Sequence, residues 1–224
     1  MPNNSKPIAS AVAKMKKESD KSLSPAAEVF NSWVAALDKA GIPTNVLSPG
    51  SNFPDGDLLD VDGKPTSLKR TVNGQPAAVV FYRGAWCPYC NLTLSTYQRE
   101  LSPKLNELGV MLVAISPQEP DGSMTMKEKH NLDFAVLSDP GNQIAKRLGI
   151  ITVPPTEVQA TQKKFGLDLT AINADHTANL PMPTVAIVDD KGKLVWIDVH
   201  PNHTTRTEPE EVLKAIKTHL VKRG

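Results

Sequence analysis

The sequence predicts an α/β fold in which helices flank a partly parallel β-sheet. Two apolar runs without polar alternation, "AAVVFY" and "VMLVAIS", are typical of strands buried on both faces of a sheet. Between them, apolar residues recur every three or four positions, the spacing of one helical face: Leu94, Tyr97, Leu101 and Leu105. A strand, a helix and a second strand in this order form a right-handed crossover, which makes the two strands parallel.

The charge balance argues against nucleic acid or a membrane as a partner. Among 224 residues, 25 are Lys or Arg and 24 are Asp or Glu, so the formal net charge is +1. No apolar run approaches the ~18 residues that a membrane span needs, and the first residues lack the apolar core of a secretory signal. We therefore expect a cytoplasmic protein of one domain with elaborations, or at most two, whose ligand is small or is another protein.

The N-terminal segment is predicted to contain a disordered tail at 1–23 and a helix at 24–46. The tail is polar and poor in aromatic residues. Ser24 and Pro25 are typical of a helix start, and Gly41 of a helix end. The apolar side chains of this helix fall on one face, which could pack on the parent domain or on a second subunit.

The main domain is predicted over residues 47–224. A hairpin or edge pair forms around "DGKP", and Pro103 is expected to kink or divide the long helix. A second hairpin around "DDKG" precedes a C-terminal helix with a capping box at 207–210. Residues 151–183 show little periodicity beyond a helix over 156–165, and we interpret them as an insertion that covers one sheet edge or the mouth of an active site.

The only two cysteines, Cys87 and Cys90, lie at the junction between the first central strand and the next helix. Unpaired N–H groups and the helix dipole at such a position favour the reactive thiolate. Pro88 suits the first helical position. We expect Cys87 to be the exposed, low-pKa sulfur that attacks, and Cys90, one turn further in, to be the resolving thiol.

Two other interpretations of the pair stay open, half of a metal site and two inert core residues. Zinc needs four ligands, and the chain offers one CxxC with no second thiol pair, so we predict no metal and no organic cofactor. Arg83 could lower the thiol pKa and bind a substrate oxygen, or could pair with a surface carboxylate. Trp86 could shield the sulfur or fill the core.

Four motifs carry a family resemblance over about Leu47 to Ala215: "FYRGAWCPYCNLTL", "LVAISPQ", "FAVLSDPGNQIAKRLGI" and "PTVAIVDDKGKLVW". Together they resemble the peroxiredoxin-like family of alkyl hydroperoxide reductases and thiol-specific antioxidant proteins, within the thioredoxin-fold superfamily. The resemblance implies a thioredoxin-like fold with a central mixed β-sheet flanked by helices, and the helix predicted at 24–46 is an N-terminal extension of this fold. It also implies a peroxidase that reduces hydrogen peroxide or organic hydroperoxides and is reset by a thioredoxin- or glutathione-type reductant.

The motif around the cysteines mixes two templates. The family's Pro-x-x-x-Thr-x-x-Cys motif puts Arg83 at the proline, Cys87 at the threonine and Cys90 at the peroxide-reacting cysteine. "WCPYC" instead resembles thioredoxins, in which the first cysteine attacks and a cis-proline, here at Pro183, faces the pair. We favour Cys87 as the nucleophile and a cis Pro183.

Other positions are given supporting roles. We count Tyr82, Trp86 and Pro183 with Arg83 as residues that support the site. Asp139 and Arg206 match family positions, where they are interpreted as a helix cap and a hairpin-end contact rather than as chemistry.

The alternatives to a peroxidase are a thiol–disulfide oxidoreductase and a non-enzymatic module that senses oxidation or binds a cluster. The expected partners are a peroxide or disulfide substrate, the reductant and a second copy in a homodimer.

Overall fold

A seven-stranded mixed β-sheet forms the centre of the protein. The computed structural model describes residues 6–19 and 25–220. The strands are β1 (Leu58–Leu59), β2 (Pro65–Thr66), β3 (Ala77–Phe81), β4 (Met111–Ser116), β5 (Ala135–Ser138), β6 (Ile151–Thr152), β7 (Leu180–Pro181), β8 (Thr184–Val188) and β9 (Leu194–Val199). The central order is β2-β1-β5-β4-β3-β8-β9, and β6 and β7 form a separate ribbon. Because β3, β4 and β5 are parallel and the other pairs antiparallel, the predicted partly parallel sheet is confirmed.

Helices cover both faces of this sheet. They are α1 (Pro7–Ser19), α2 (Pro25–Ala40), α3 (Leu68–Val72), α4 (Pro88–Glu100), α5 (Ser102–Glu107), α6 (Pro120–Lys129), α7 (Gln143–Leu148), α8 (Thr156–Lys164), α9 (Leu169–Ile172) and α10 (Pro209–His219). The predicted division of the long helix is confirmed, since α4 ends at Leu101 and Pro103 lies in the first turn of α5. Within the described residues, no helix is both long and apolar enough to cross a lipid bilayer.

Strand β3 lies between two apolar clusters, one on each face of the sheet, as its unbroken apolar run predicts. Its five residues are all buried. Val80 belongs to the core cluster that includes Leu94 of α4, and Val79 belongs to the cluster that includes Ile144 of α7. This two-sided burial fixes the end of β3, from which the chain leads into the two cysteines.

The N-terminal segment differs from the predicted disordered tail at 1–23. Helix α1 packs against α4, and its Ile8 and Val12 side chains are buried in the same core cluster as Leu94. Composition predicted a tail because the segment is polar overall, whereas two well-placed apolar side chains give the helix a face that packs on the core. The other residues of the predicted tail lie outside the described part of the chain.

The start of α1 is held by a residue far away in sequence. The Glu208 carboxylate accepts hydrogen bonds from the N–H groups of Ile8 at 3.1 Å and Ala9 at 2.7 Å. A helix start has N–H groups without helical partners, so this carboxylate supplies what the local sequence lacks. Nothing near α1 in the sequence indicates the contact.

The N-terminal caps of α7 and α10 can be compared with those predicted from the sequence. Asp139 accepts hydrogen bonds from the N–H groups of Gln143 at 2.8 Å and Ile144 at 3.0 Å, so its interpretation as a helix cap is confirmed. The capping box of α10 lies one residue later than predicted, because Glu208 is the N-cap and its N–H donates to Glu211 at 2.9 Å. Pro209, which suits the first helical position, sets this register.

Helix α2 and the 151–183 segment pack on each other. Helix α2 lies within the predicted range of 24–46, contacts α8 and buries Trp33. Ser24, the predicted cap of this helix, lies outside the described residues. Helix α8 agrees with the helix predicted over 156–165, and the contact gives the apolar face of α2 a partner within the chain.

Candidate active site

The two cysteines lie at the junction between β3 and α4. Cys87 is the N-cap residue of α4, Pro88 occupies its first turn, and the Cys90 N–H donates to the Cys87 carbonyl at 3.0 Å. Both side chains are free thiols that are 1% exposed. The predicted placement at a helix start is therefore correct, whereas the predicted exposure of Cys87 is wrong because its side chain packs into the core cluster that includes Leu94.

Three donors surround the sulfur of Cys90. The Arg206 guanidinium donates through Nη2 to Cys90 Sγ at 3.3 Å, and the Cys87 thiol and the Arg83 backbone N–H donate to the same sulfur. Burial by itself raises the pKa of Cys90. The hydrogen bond from Cys87, the charge of Arg206 and the Arg83 N–H outweigh burial and lower this pKa to about 5.

Cys87 has the opposite electrostatic setting. Burial and the hydrogen bond that it donates to Cys90 raise the pKa of the Cys87 thiol well above its usual value, against the charges of Arg83 and Arg206. The thiolate therefore rests on Cys90 rather than on Cys87, the reverse of the expected charge distribution. The helix start and the charges of Arg83 and Arg206 favour a Cys87 thiolate, but burial and the hydrogen bond to Cys90 outweigh them, whereas Cys90 has the Arg206 guanidinium in contact.

Arg206 is the residue that the sequence interpretation missed. Its Nη1 donates to the carbonyl oxygens of His203 and Thr205, both at 2.6 Å, which fixes the guanidinium beside Cys90. The hairpin-end contact expected from the sequence is present, and the same side chain also reaches the sulfur. The match to a family position was the available signal, but a contact across 116 positions depends on how α10 and β9 pack.

Arg83 is buried between two aromatic rings. Its side chain is 3% exposed, and its guanidinium carbon lies 5.2 Å from the ring centroid of Trp33 and 4.9 Å from that of Trp86. Burial lowers the pKa of Arg83, and the nearby Cys87 and Cys90 oppose this shift. The surface ion pair considered for Arg83 is therefore absent among residues 6–19 and 25–220, and Trp86 stacks on the cation beside the sulfur pair.

Tyr82 and Pro183 lie on the other side of Cys90. With Arg206 they line a pocket of about 10 Å³, here called the Cys90 pocket. The described residues contain no cis peptide bond, so the expected cis Pro183 is wrong. The Pro183 carbonyl accepts the His200 N–H at 2.8 Å, which continues the β8–β9 pairing and gives this proline the role of an ordinary strand neighbour.

A wider cavity of about 410 Å³ opens beside Cys87, here called the Cys87 cavity. Its walls come from the cysteine loop, α2 and the segment around α8; they include Arg83, Trp86, Trp33, Phe30, Gln162 and Phe165. The 151–183 segment thus borders the approach to Cys87. In the described part of the chain, no group of three or more His, Cys, Asp or Glu side chains could hold a metal ion.

Gly84 is required where the loop passes under Trp86. Its φ of +144° is rarely adopted by other residues, and an added Cβ would lie 2.7 Å from Gln118 Oε1 and closer still to Trp86 Nε1. Gln118 Oε1 also accepts the Ala85 N–H at 2.7 Å, so the clash would disturb the loop that leads to Cys87.

Gly84→Ala is expected to lower the free energy of unfolding by about 1–3 kcal/mol through backbone strain and overpacking. Gly109→Ala is the matched control, because Gly109 has φ of +66° and no atom within 4 Å of the added Cβ. Urea unfolding of both variants tests this, and an equal loss in the two would contradict the proposed clash.

Comparisons with known proteins agree with this geometry. Residues 49–197 match the AhpC/TSA family. The chain is 32% identical over 124 residues to the chloroplastic peroxiredoxin Q of Sedum lineare, covering 55% of this chain and 65% of the relative. It is 31% identical over 123 residues to the chloroplastic peroxiredoxin Q of Populus jackii, covering 53% and 57%. The chain thus spans less than two thirds of the length of either relative.

Solved structures extend the comparison to the whole fold. The crystal structure of peroxidoxin BcpB from Mycobacterium tuberculosis superposes with a TM-score of 0.60 at 18% identity, covering 80% of this chain and 99% of that chain. A likeness at this identity establishes the fold alone, and it confirms the expected thioredoxin-like fold. Because the family match spans more than half of the chain and includes both cysteines, the protein belongs to the AhpC/TSA family.

Proposed function

We propose that the protein is a thiol peroxidase that reduces hydrogen peroxide or organic hydroperoxides through the Cys87–Cys90 pair. The observation that carries this proposal is the hydrogen bond of 3.3 Å from Arg206 Nη2 to Cys90 Sγ. The Cys87 thiol and the Arg83 backbone N–H donate to the same sulfur. Thiolates are the reactive form of cysteine, and these donors stabilise one at neutral pH. The family membership and the names of the relatives support the same activity.

Cys90 is the proposed nucleophile. Its thiolate attacks one oxygen of the peroxide, the O–O bond breaks, and the departing oxygen takes a proton to leave as water or an alcohol. Cys90 is then a sulfenic acid. The Cys87 sulfur, already hydrogen-bonded to Cys90, displaces the hydroxyl group as water and closes a disulfide, which a dithiol or two thiols of the thioredoxin or glutathione type reduce.

The supporting residues have separate proposed roles in this cycle. Arg206 holds the thiolate, and Tyr82 and Pro183 enclose the Cys90 pocket. Arg83 and Trp86 line the Cys87 cavity beside Cys87. The proposed cycle needs a reducing compartment such as the cytosol to return the pair to thiols, and alkylation trapping of the pair in cells would test this location. A homodimer stays a prediction of the sequence, to be measured by light scattering.

Disulfide exchange is the second candidate function, and in it Cys87 rather than Cys90 would be the attacking sulfur. Cys87, not Cys90, borders the cavity of about 410 Å³, which could admit part of a disulfide substrate. In that case Cys87 attacks and Cys90 resolves the mixed disulfide, as the thioredoxin-type motif implied.

Single Cys→Ser variants separate the two functions. For the peroxidase, Cys87→Ser keeps a rapid reaction with hydrogen peroxide and accumulates a sulfenic acid on Cys90, whereas Cys90→Ser reacts as slowly as an ordinary thiol. Stopped-flow kinetics and a sulfenic acid probe measure both. A slow peroxide reaction in the unaltered protein, with a mixed disulfide trapped on Cys87 in Cys90→Ser, would favour disulfide exchange instead.

A further inference from the structure

The charges next to the cysteine pair, buried Arg83 and partly buried Arg206, do not balance. Arg83 and Arg206 are both cations at neutral pH, and the Cys90 thiolate supplies one negative charge. Among the residues described, the ion pairs found do not include Arg83 or Arg206. Burying an unpaired charge is unfavourable, so one further anion would complete the site.

The free donors of Arg83 have a specific arrangement. Its Nε and Nη2 atoms are buried and have no hydrogen-bond partner in the described part of the chain. These two N–H groups lie on the same edge of the planar guanidinium, the edge that binds the two oxygens of a carboxylate side by side. The side chain also borders the Cys87 cavity.

The cavity is built for a largely apolar body. Its volume of about 410 Å³ lies within the range of small-molecule sites, roughly 300–1,000 Å³. Phe30 and Trp33 of α2 form one wall, and Phe165 and Leu167 after α8 form another. Phe165 is 72% exposed and lies at the rim of the cavity, where a bound ligand would cover part of its ring.

The other polar groups of the cavity agree with a bound anion. Buried His203 Nδ1 and Gln162 Oε1 have no partner among residues 6–19 and 25–220. Burial, together with the charges of Arg83, Arg206 and Lys16, lowers the pKa of His203 to about 2, so this ring is neutral. The positive charges of Arg83, Arg206 and Lys16 therefore act on this side of the cavity.

We propose that the Cys87 cavity binds an organic carboxylate with an aromatic or alkyl body. The carboxylate accepts hydrogen bonds from Arg83 Nε and Nη2, and the apolar body packs between Trp33 and Phe165. The site does not depend on the proposed peroxidase activity, because it requires only the cavity and the Nε and Nη2 donors of Arg83. A bound ligand lies against Cys87 and restricts access to that sulfur.

Calorimetric titration of the full-length reduced protein tests the site. The probes are 3-phenylpropionate and its neutral counterpart 3-phenylpropionamide, which share one body. The acid is expected to bind at least about tenfold more tightly than the amide, since a hydrogen bond to a charged group contributes this much. It is also expected to slow alkylation of Cys87 by iodoacetamide.

Three variants complete the test. Arg83→Met should abolish the preference for the acid, and Phe165→Ala should weaken both probes, whereas Val153→Ala, an exposed apolar control in the same segment, should change neither. Equal affinity for acid and amide, no binding of either, or a preference that survives Arg83→Met overturns the proposal. If Arg83→Met does not fold, the comparison of the two probes on the unaltered protein decides. Binding in a protein inert to peroxide would retain this site and reject the peroxidase.

Discussion

Arg206→Met is expected to raise the pKa of Cys90 and to slow its reaction with hydrogen peroxide by roughly ten- to thirtyfold at pH 7. The folded protein lowers this pKa to about 5, so the thiolate is present above that pH. Without the contact from Arg206, burial acts with less opposition, and a thiol of ordinary pKa, about 8.5, is only a few per cent ionised at pH 7. Methionine keeps much of the volume but removes the charge.

The pH dependence distinguishes this effect from a loss of structure. The rate of the unaltered protein should vary little above about pH 6, once Cys90 is ionised. The rate of Arg206→Met should rise with pH and approach that of the unaltered protein in alkaline solution. Thiolate absorbance and stopped-flow kinetics measure the two quantities. Arg99→Met, which changes an exposed arginine on α4, is the control, and an unchanged pH profile in Arg206→Met would refute the proposed role.

The local features of the site could be predicted from the sequence. The apolar run of β3 is buried on both sides, and Pro88 in the first turn of α4 places Cys87 at the helix start. Neighbours in the chain determine these features, so pattern and propensity were enough. The same holds for the division of the helix near Pro103 and for the cap at Asp139.

The features that decide the chemistry depend on distant contacts. Arg206 lies 116 positions from Cys90, and only the packing of β9 and α10 brings it to the sulfur. A motif with two cysteines three residues apart located the pair, whereas the preference of the negative charge for Cys90 depends on the Arg206 contact, which the sequence does not show. The expectation of a cis Pro183 was also wrong. It applied the geometry of thioredoxins to a chain whose motif combines features of thioredoxins and peroxiredoxins.

Glu208→Ala is expected to release α1 from the rest of the protein, since the helix start depends on this one carboxylate. The variant leaves the N–H groups of Ile8 and Ala9 without their partner. The buried Ile8 N–H without a partner costs about 1–3 kcal/mol and the partly buried Ala9 N–H adds less, so the opening free energy of α1 should fall by about 2–4 kcal/mol. Hydrogen exchange of the α1 amides should then speed up by roughly thirtyfold or more.

The surroundings of α1 connect this change to the reactive pair. Ile8 and Val12 share a core cluster with Cys87, Cys90 and Leu94, so α1 supports the helix that carries Cys90. When α1 is released, α4 loses packing on that side, and the Cys90 thiolate should become accessible to a bulky alkylating reagent. Glu210→Ala is the control, because Glu210 lies exposed in the same first turn of α10. If both variants leave the exchange of α1 unchanged, the apolar contacts of Ile8 and Val12 hold the helix without Glu208.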